Sequence, residues 1–142
     1  MAADIGNIIH LDTDVLIDVL ADRTPYAVDS NAVWEMVERK HYVGTIAALS
    51  VANAAYLLRK MLGSKGTRKC IPDLCRLFTI LSCDERCIRT AAAGSISDFG
   101  DALQYAAAEQ ADATAIITRN VRDYPRKGIP ILTPVRFLAQ QS

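Results

Sequence analysis

Five aspartates in three separated blocks are the residues of this sequence best suited to chemistry. They are Asp12 and Asp14 in IIHLDTDVLI, Asp98 and Asp101 in SDFGDALQ, and Asp123 in AIITRNVRDYP. The first and last blocks begin with short apolar runs that read as buried strands, and the middle block opens an Ala-rich segment that reads as a helix. In a parallel α/β sheet such positions meet in the crevice at the carboxyl ends of the strands, where the strand order reverses. Gathering them is unfavourable, because two unit charges ~4 Å apart repel by roughly 1 kcal/mol in water and roughly 4 kcal/mol at a partly shielded site. A cation removes that penalty, and a donor set made only of oxygens suits Mg²⁺ or Mn²⁺ better than zinc. The same crowding predicts that Asp12→Asn or Asp101→Asn leaves the metal-free protein as stable as before or more so.

The elements that must position these acids follow from periodicity. Ile8 to Leu11 reads as a first strand, followed by an amphipathic helix from about Asp14 to Asp22 with Val15, Leu16, Val19 and Leu20 on its apolar side. Pro25 opens a second helix through Lys40, with Val28, Ala32, Trp34 and Met36 facing inward. Tyr42 to Ile46 is a short strand, Leu49 to Leu62 a helix ended by Gly63, and Gly63 to Gly66 a loop. A helix from Thr67 to about Leu77 leads into a strand over Phe78 to Leu81, and Glu85 to Ala93 is helical. After a break at Gly94 to Ser97, Asp98 to Gln110 is helical, Ala115 to Thr118 a strand, and Ile131 to Leu132 an edge strand between Pro130 and Pro134. Strands and helices alternating at this spacing imply parallel βαβ units, hence an α/β fold.

Composition narrows the classes. A chain of 142 residues fits a single domain with a proper core, and 51% hydrophobic against 23% charged residues argues against disorder. Lys plus Arg equals Asp plus Glu at 16 each, so no global positive field announces a nucleic acid and any phosphate contact must be local. No run approaches the roughly 20 apolar residues of a membrane span. The first ten residues include Asp4 and lack the order of a signal peptide, so the expected location is cytoplasmic. Cys70, Cys75, Cys83 and Cys87 contain no CxxC pair, and Cys75 and Cys83 read as small buried apolar residues rather than as zinc or Fe–S ligands.

Each acid also has a structural reading. Asp12 ends the first strand and could cap the following helix, as could Thr13 or Asp14. Asp98 and Asp101 are three apart, the spacing of an N-cap and a first-turn acid facing the positive helix end. Thr118, Arg119, Asn120 and Asp123 leave one strand end together. There the hydroxyl, carboxamide and carboxylate could orient water or neighbouring acids, or form an ordinary turn with Asn120 left-handed and Asp123 capping it. Arg119, Arg122 and Lys127 would place positive charge beside the acids, with Arg59 and Lys60 weaker candidates for phosphate contact. His10 and His41 read as strand and turn residues rather than catalysts.

Three segments carry a family resemblance over nearly the whole chain: LDTDVLIDVL, DFGDALQYAAAEQADATAIITRN and RDYPRKGIPILTPVRFL. In them the sequence resembles the PIN-domain ribonucleases, the VapC-like toxin branch in particular. The resemblance implies a PIN-like domain over residues 1–142, a three-layer α/β/α sandwich with a central parallel sheet. It further implies metal ligation by Asp12, Asp98, Asp101 and Asp123, with Asp14, at a position usually held by asparagine, capping the helix or holding Asp12 by a hydrogen bond. Thr118, Asn120 and Arg119 would orient water and carboxylates or meet substrate. DFGDALQ is similar to the DFEDA-type motif of this branch, with Gly100 where an acid is common. The departure is Asn53, which puts a neutral amide where the family usually carries a glutamate; an amide oxygen can bind a cation or substrate but supplies no charge. Glu35, Glu38 and Glu109 are the nearest conceivable substitutes, and each reads as a solvated helix position.

The implied activity is Mg²⁺- or Mn²⁺-dependent endonucleolytic cleavage of RNA, with an antitoxin protein as partner and a homodimer as assembly. Two other readings compete. A haloacid-dehalogenase-like phosphatase shares an apolar-DxD-apolar strand end, but Val15 and Leu16 stand where it expects Gly-Thr, and no later strand clearly supplies its lysine. A PIN module that binds RNA or a protein without cutting is suggested by Asn53 and Gly100.

Overall fold

Strand and helix alternate along the chain, as the apolar runs predict, and every strand pairing is parallel. In the computed structural model, which describes residues 7–141, β1 (Ile8–Leu11) runs into α1 (Thr13–Leu20) and α2 (Ala27–Glu38). Next come β2 (Val43–Ala47), α3 (Ala48–Leu77), β3 (Phe78–Leu81), α4 (Glu85–Ala93) and α5 (Phe99–Gln110). The chain finishes with β4 (Ala115–Ile117), a 3-10 turn at Val121–Asp123, β5 (Ile131–Leu132) and α6 (Pro134–Ala139). Asp4, the residue weighed against a signal peptide, lies outside the described residues. Among the described residues no helix is long and apolar enough to cross a membrane.

The sheet order is β3-β2-β1-β4-β5. The chain builds outward from β1 through β2 to β3, then crosses back to place β4 on the other side of β1. The order therefore reverses between β1 and β4, and the crevice at their carboxyl ends is where a ligand site is expected. Strand side chains alternate between faces. Ile9 and Leu11 enter a core with residues of α1, α2, α3 and α6, including Val15, Leu16, Val33, Leu74 and Phe137. His10 points to the opposite face, beneath α5, where a smaller cluster joins Cys87 of α4 to Ala106 and Ala107. Helices on both faces make a three-layer α/β/α sandwich around a parallel sheet.

Several local expectations need correction. The helix that opens α3 ends at Gly63 as expected, at φ 71° and ψ 174°, a conformation open to glycine. The expected loop shrinks to that one residue and a second helix starts at once rather than at Thr67, so α3 is two helices across a kink. In α2 the inward residues are Ala27, Ser30, Val33 and Val37, with Trp34 and Met36 packed at the edge of the core, whereas Val28 is 72% exposed. Cys75 is exposed and Cys87 is the buried thiol, its Sγ 3.1 Å from that of Cys83; all four cysteines are free. Asn120 has φ −105°, so the turn after β4 needs no left-handed residue. The sequence reading also missed α6, whose start is capped by Thr133 through its hydroxyl to the Arg136 N–H, with Pro134 at the first turn.

Candidate active site

Leu11 ends β1 and Asp12 stands at the sheet edge as the N-cap of α1, its Oδ1 accepting from the Thr13 N–H at 2.7 Å. Capping is only part of its role. The same oxygen accepts from Gln104 Nε2 at 2.6 Å, and Oδ2 accepts from the Thr118 hydroxyl at 2.8 Å and the Tyr124 hydroxyl at 3.1 Å. Four donors from α1, α5 and the stretch after β4 converge on one buried carboxylate. The repulsion argument for Asp12 is therefore incomplete, since removing this side chain also removes the acceptor of four hydrogen bonds.

A continuous buried chain fixes the Gln104 donor. The Thr45 hydroxyl on β2 lies 2.9 Å from His10 Nδ1, and His10 Nε2 lies 2.9 Å from Gln104 Oε1. Since the amide oxygen accepts, the imidazole carries its proton on Nε2 and takes the Thr45 proton on Nδ1. Burial pushes the His10 pKa below its ordinary value and keeps the ring neutral. With Oε1 so occupied, the amide NH₂ points at Asp12 Oδ1 and at Thr13 Oγ1, 3.0 Å away. Sequence reasoning set His10 aside and overlooked Gln104. The available signal was a histidine inside an apolar strand run, which requires a polar partner on the opposing helix.

Asp14 does not cap α1. Its Oδ2 accepts from the Arg119 backbone N–H at 3.0 Å and from Asn120 Nδ2 at 3.3 Å, so it clamps the exit of β4 against α1. Its Oδ1 is buried and has no hydrogen-bond partner. Burial and the neighbouring Asp12 raise its pKa to about 6, against the pull of Arg119. Asp98 is the N-cap of α5, accepting from the Asp101 N–H at 3.0 Å. A Cβ at Gly100 would lie 3.1 Å from Asp98 Oδ1, so the missing acid there leaves this cap room. Asp101 rises to a pKa of about 7, first through burial and then through Asp12, Asp98, Asp123 and Asp14.

Asp12, Asp14, Asp98, Asp101, Asn53 and Asn120 line one cavity of about 300 Å³ at the β1/β4 edge. Asp123 is not on its wall; it borders a neighbouring hollow with Asp98 and Arg122, near enough to raise the Asp101 pKa. Among the described residues no three carboxylate, histidine or cysteine groups converge tightly enough to share one ion, so the expected joint reach of Asp12, Asp101 and Asp123 is not met in this conformation. Thr118 is buried beneath Asp12, where it donates to the carboxylate and accepts from the Asn120 N–H at 3.0 Å.

Arg119 departs most from expectation. Its guanidinium turns away from the cavity, pairing with fully buried Asp18 through Nε at 2.8 Å and Nη2 at 3.1 Å and stacking on the Tyr26 ring at 3.8 Å. The role left to Arg119 at the site is its backbone N–H on Asp14. Lys60 lies over the Tyr56 ring on α3, outside the cavity wall.

A sequence model of the PIN domain matches residues 9–122. No curated relative matches by sequence. Solved structures match in fold. A toxin–antitoxin complex from Klebsiella pneumoniae aligns with TM-score 0.68 at 21% identity, over 89% of this chain and 97% of that one. FitAcB from Neisseria gonorrhoeae aligns with TM-score 0.67 at 21% identity, over 89% and 98%. VapC20 of Mycobacterium tuberculosis, a toxin that cleaves the sarcin–ricin loop, aligns with TM-score 0.62 at 13% identity, over 76% and 86%.

Proposed function

The chain belongs to the PIN-domain family, and from that premise we propose that it is a divalent-metal-dependent endoribonuclease. The observation that carries the reading is the meeting of Asp12, Asp14, Asp98 and Asp101 on one cavity at the strand-order reversal. The donor set fits a hard cation: every candidate ligand is oxygen, and the buried Oδ1 of Asp14 has no donor to satisfy it. Asp12, Asp101 and Asp98 would hold Mg²⁺ or Mn²⁺, with Asp14 and, from the adjoining hollow, Asp123 completing the acidic field. Such an ion offsets charge on a phosphodiester and acidifies water beside it.

The protein's own groups supply positioning. Gln104, Thr118 and Tyr124 fix both oxygens of Asp12, so its orientation is set before substrate arrives. Asp14 holds the turn after β4, and Asn120 on that turn faces the same cavity. By analogy with the toxin–antitoxin structures it resembles in fold, the protein would act on cytoplasmic RNA, be restrained by an antitoxin, and form a homodimer.

The test is incubation of the full chain with single-stranded RNA in Mg²⁺ or Mn²⁺ and in EDTA. Cleavage that requires the ion supports the proposal; an RNA left intact with either ion overturns it. The second reading, a PIN module that binds without cutting, draws on two observations: Asn53 lines the cavity where an acid is usual, and among the described residues the acids that share the cavity do not approach closely enough in threes to hold one ion. RNA binding with no cleavage in that assay would select it. The phosphatase reading lapses with membership of the PIN family and with a cavity wall that contains no lysine.

A further inference from the structure

Among the described residues, the wall of the acidic cavity carries a single cation, Arg23, from the turn that follows α1. Its Nε pairs with Asp18 Oδ1 at 3.2 Å, the carboxylate that also holds Arg119. One buried anion thus serves two guanidinium groups unequally. Arg119 is engaged by Asp18 through two nitrogens and by the Tyr26 ring, whereas Arg23 meets Asp18 through Nε alone. That side chain is 43% exposed, and its terminal nitrogens make no hydrogen bond to the described residues. Asn53, also exposed on the cavity wall, has no hydrogen-bond partner among them either.

We propose that Arg23 and Asn53 form a phosphate-binding subsite for the backbone of single-stranded RNA; this rests on the nuclease reading of the same cavity. An anionic backbone approaching four aspartates is repelled unless a fixed cation stands on its path. A guanidinium tethered at Nε keeps two terminal NH₂ groups free to donate to phosphate oxygens, and the tether reduces the freedom lost on binding. An amide at position 53 adds a donor where a carboxylate would repel the phosphate. The departure at Asn53 thereby becomes a shift of that position from the metal's side of the site to the substrate's.

The experiment measures anisotropy of a labelled single-stranded RNA oligonucleotide with the full chain in EDTA, across a range of salt. Arg23→Ala is expected to weaken binding about tenfold and to reduce the slope of log affinity against log salt by about 0.7, the value for one single-strand phosphate contact. Arg23→Lys should restore the slope but only part of the affinity, and Asn53→Glu should weaken binding in EDTA. Thermal unfolding of each variant separates loss of contact from loss of fold; if Arg23→Ala does not fold, Arg23→Gln takes its place. Unchanged affinity and slope in a folded Arg23 variant overturn the subsite, as does a parent that fails to bind RNA at low salt. A parent whose binding depends on Arg23 but which does not cut with Mn²⁺ retires the nuclease reading and keeps the subsite. One that cuts with a KM unaffected by Arg23→Ala does the reverse.

Discussion

Asp12 and Asp101 face the same cavity but differ in what surrounds them, and the difference predicts opposite responses to mutation. Asp12→Ala strands the Thr13 N–H, the Gln104 amide and the hydroxyls of Thr118 and Tyr124. It should destabilise the metal-free protein by about 2 kcal/mol, measured by denaturant unfolding. Asp101, whose charge is opposed by burial and four neighbouring acids, should behave in the other direction: Asp101→Asn leaves stability unchanged or raises it. The pH dependence carries the same sign. A folded-state pKa of about 7 lies above the unfolded value, so the folded protein binds more protons and its stability falls as pH rises from about 4 to about 7. Asp14, at about 6, adds to the fall over the lower part of that window, while His10, held neutral by burial, opposes it below its ordinary value. Asp101→Asn should flatten the decline in EDTA; an identical pH profile in parent and variant would contradict the assignment. That Asp12, Asp14, Asp98 and Asp101 share one cavity was legible in the sequence, because each stands at a strand end or a helix start that faces the carboxyl edge of the sheet, whereas Asp123 falls beside it. Gln104, Tyr124 and Arg23 were not, since an amide, a phenol and a guanidinium declare a role only once their neighbours are known.

At the scale of elements, the strands, α4 and the α5 boundary were readable because each combines an apolar run with a capping or breaking signal, as Asp98 before α5 and Gly94 after α4 show. The strand order was not readable, because periodicity says which face a residue takes but not which strand lies beside it. Nor was the immediate restart of helix in α3, where the stop expected at Gly63 occurs but Ser64 and Gly66 already belong to the next helix. Gly44 shows how tightly β2 is held. A Cβ there would fall 2.7 Å from Phe78 Cδ1 on β3 and 2.9 Å from Val37 Cγ1 on α2. Gly44→Ala should therefore cost about 1–3 kcal/mol through overpacking. Because Thr45 begins the hydrogen-bonded chain to Asp12, the same change should lower any RNA cleavage as well. Wild-type stability and rate in this variant would mean that the β2 register tolerates displacement.

For the whole molecule, charge is balanced in sum and concentrated in place. The chain carries no net formal charge, yet four aspartates share one sheet edge, opposed on the cavity wall, among the described residues, by Arg23 alone. Repulsion stored at that edge is what a divalent ion would relieve. Mn²⁺ should therefore raise the unfolding temperature of the parent by mass action and raise that of Asp101→Asn less. The measurement that tests the central claim most directly is single-turnover cleavage of a labelled single-stranded RNA by the parent and by Asp101→Asn, each in saturating Mn²⁺ and in EDTA. The account predicts cleavage only by the parent and only with the ion, although the variant is as stable as the parent or more so. Equal cleavage by the two proteins, or cleavage that persists in EDTA, would contradict it.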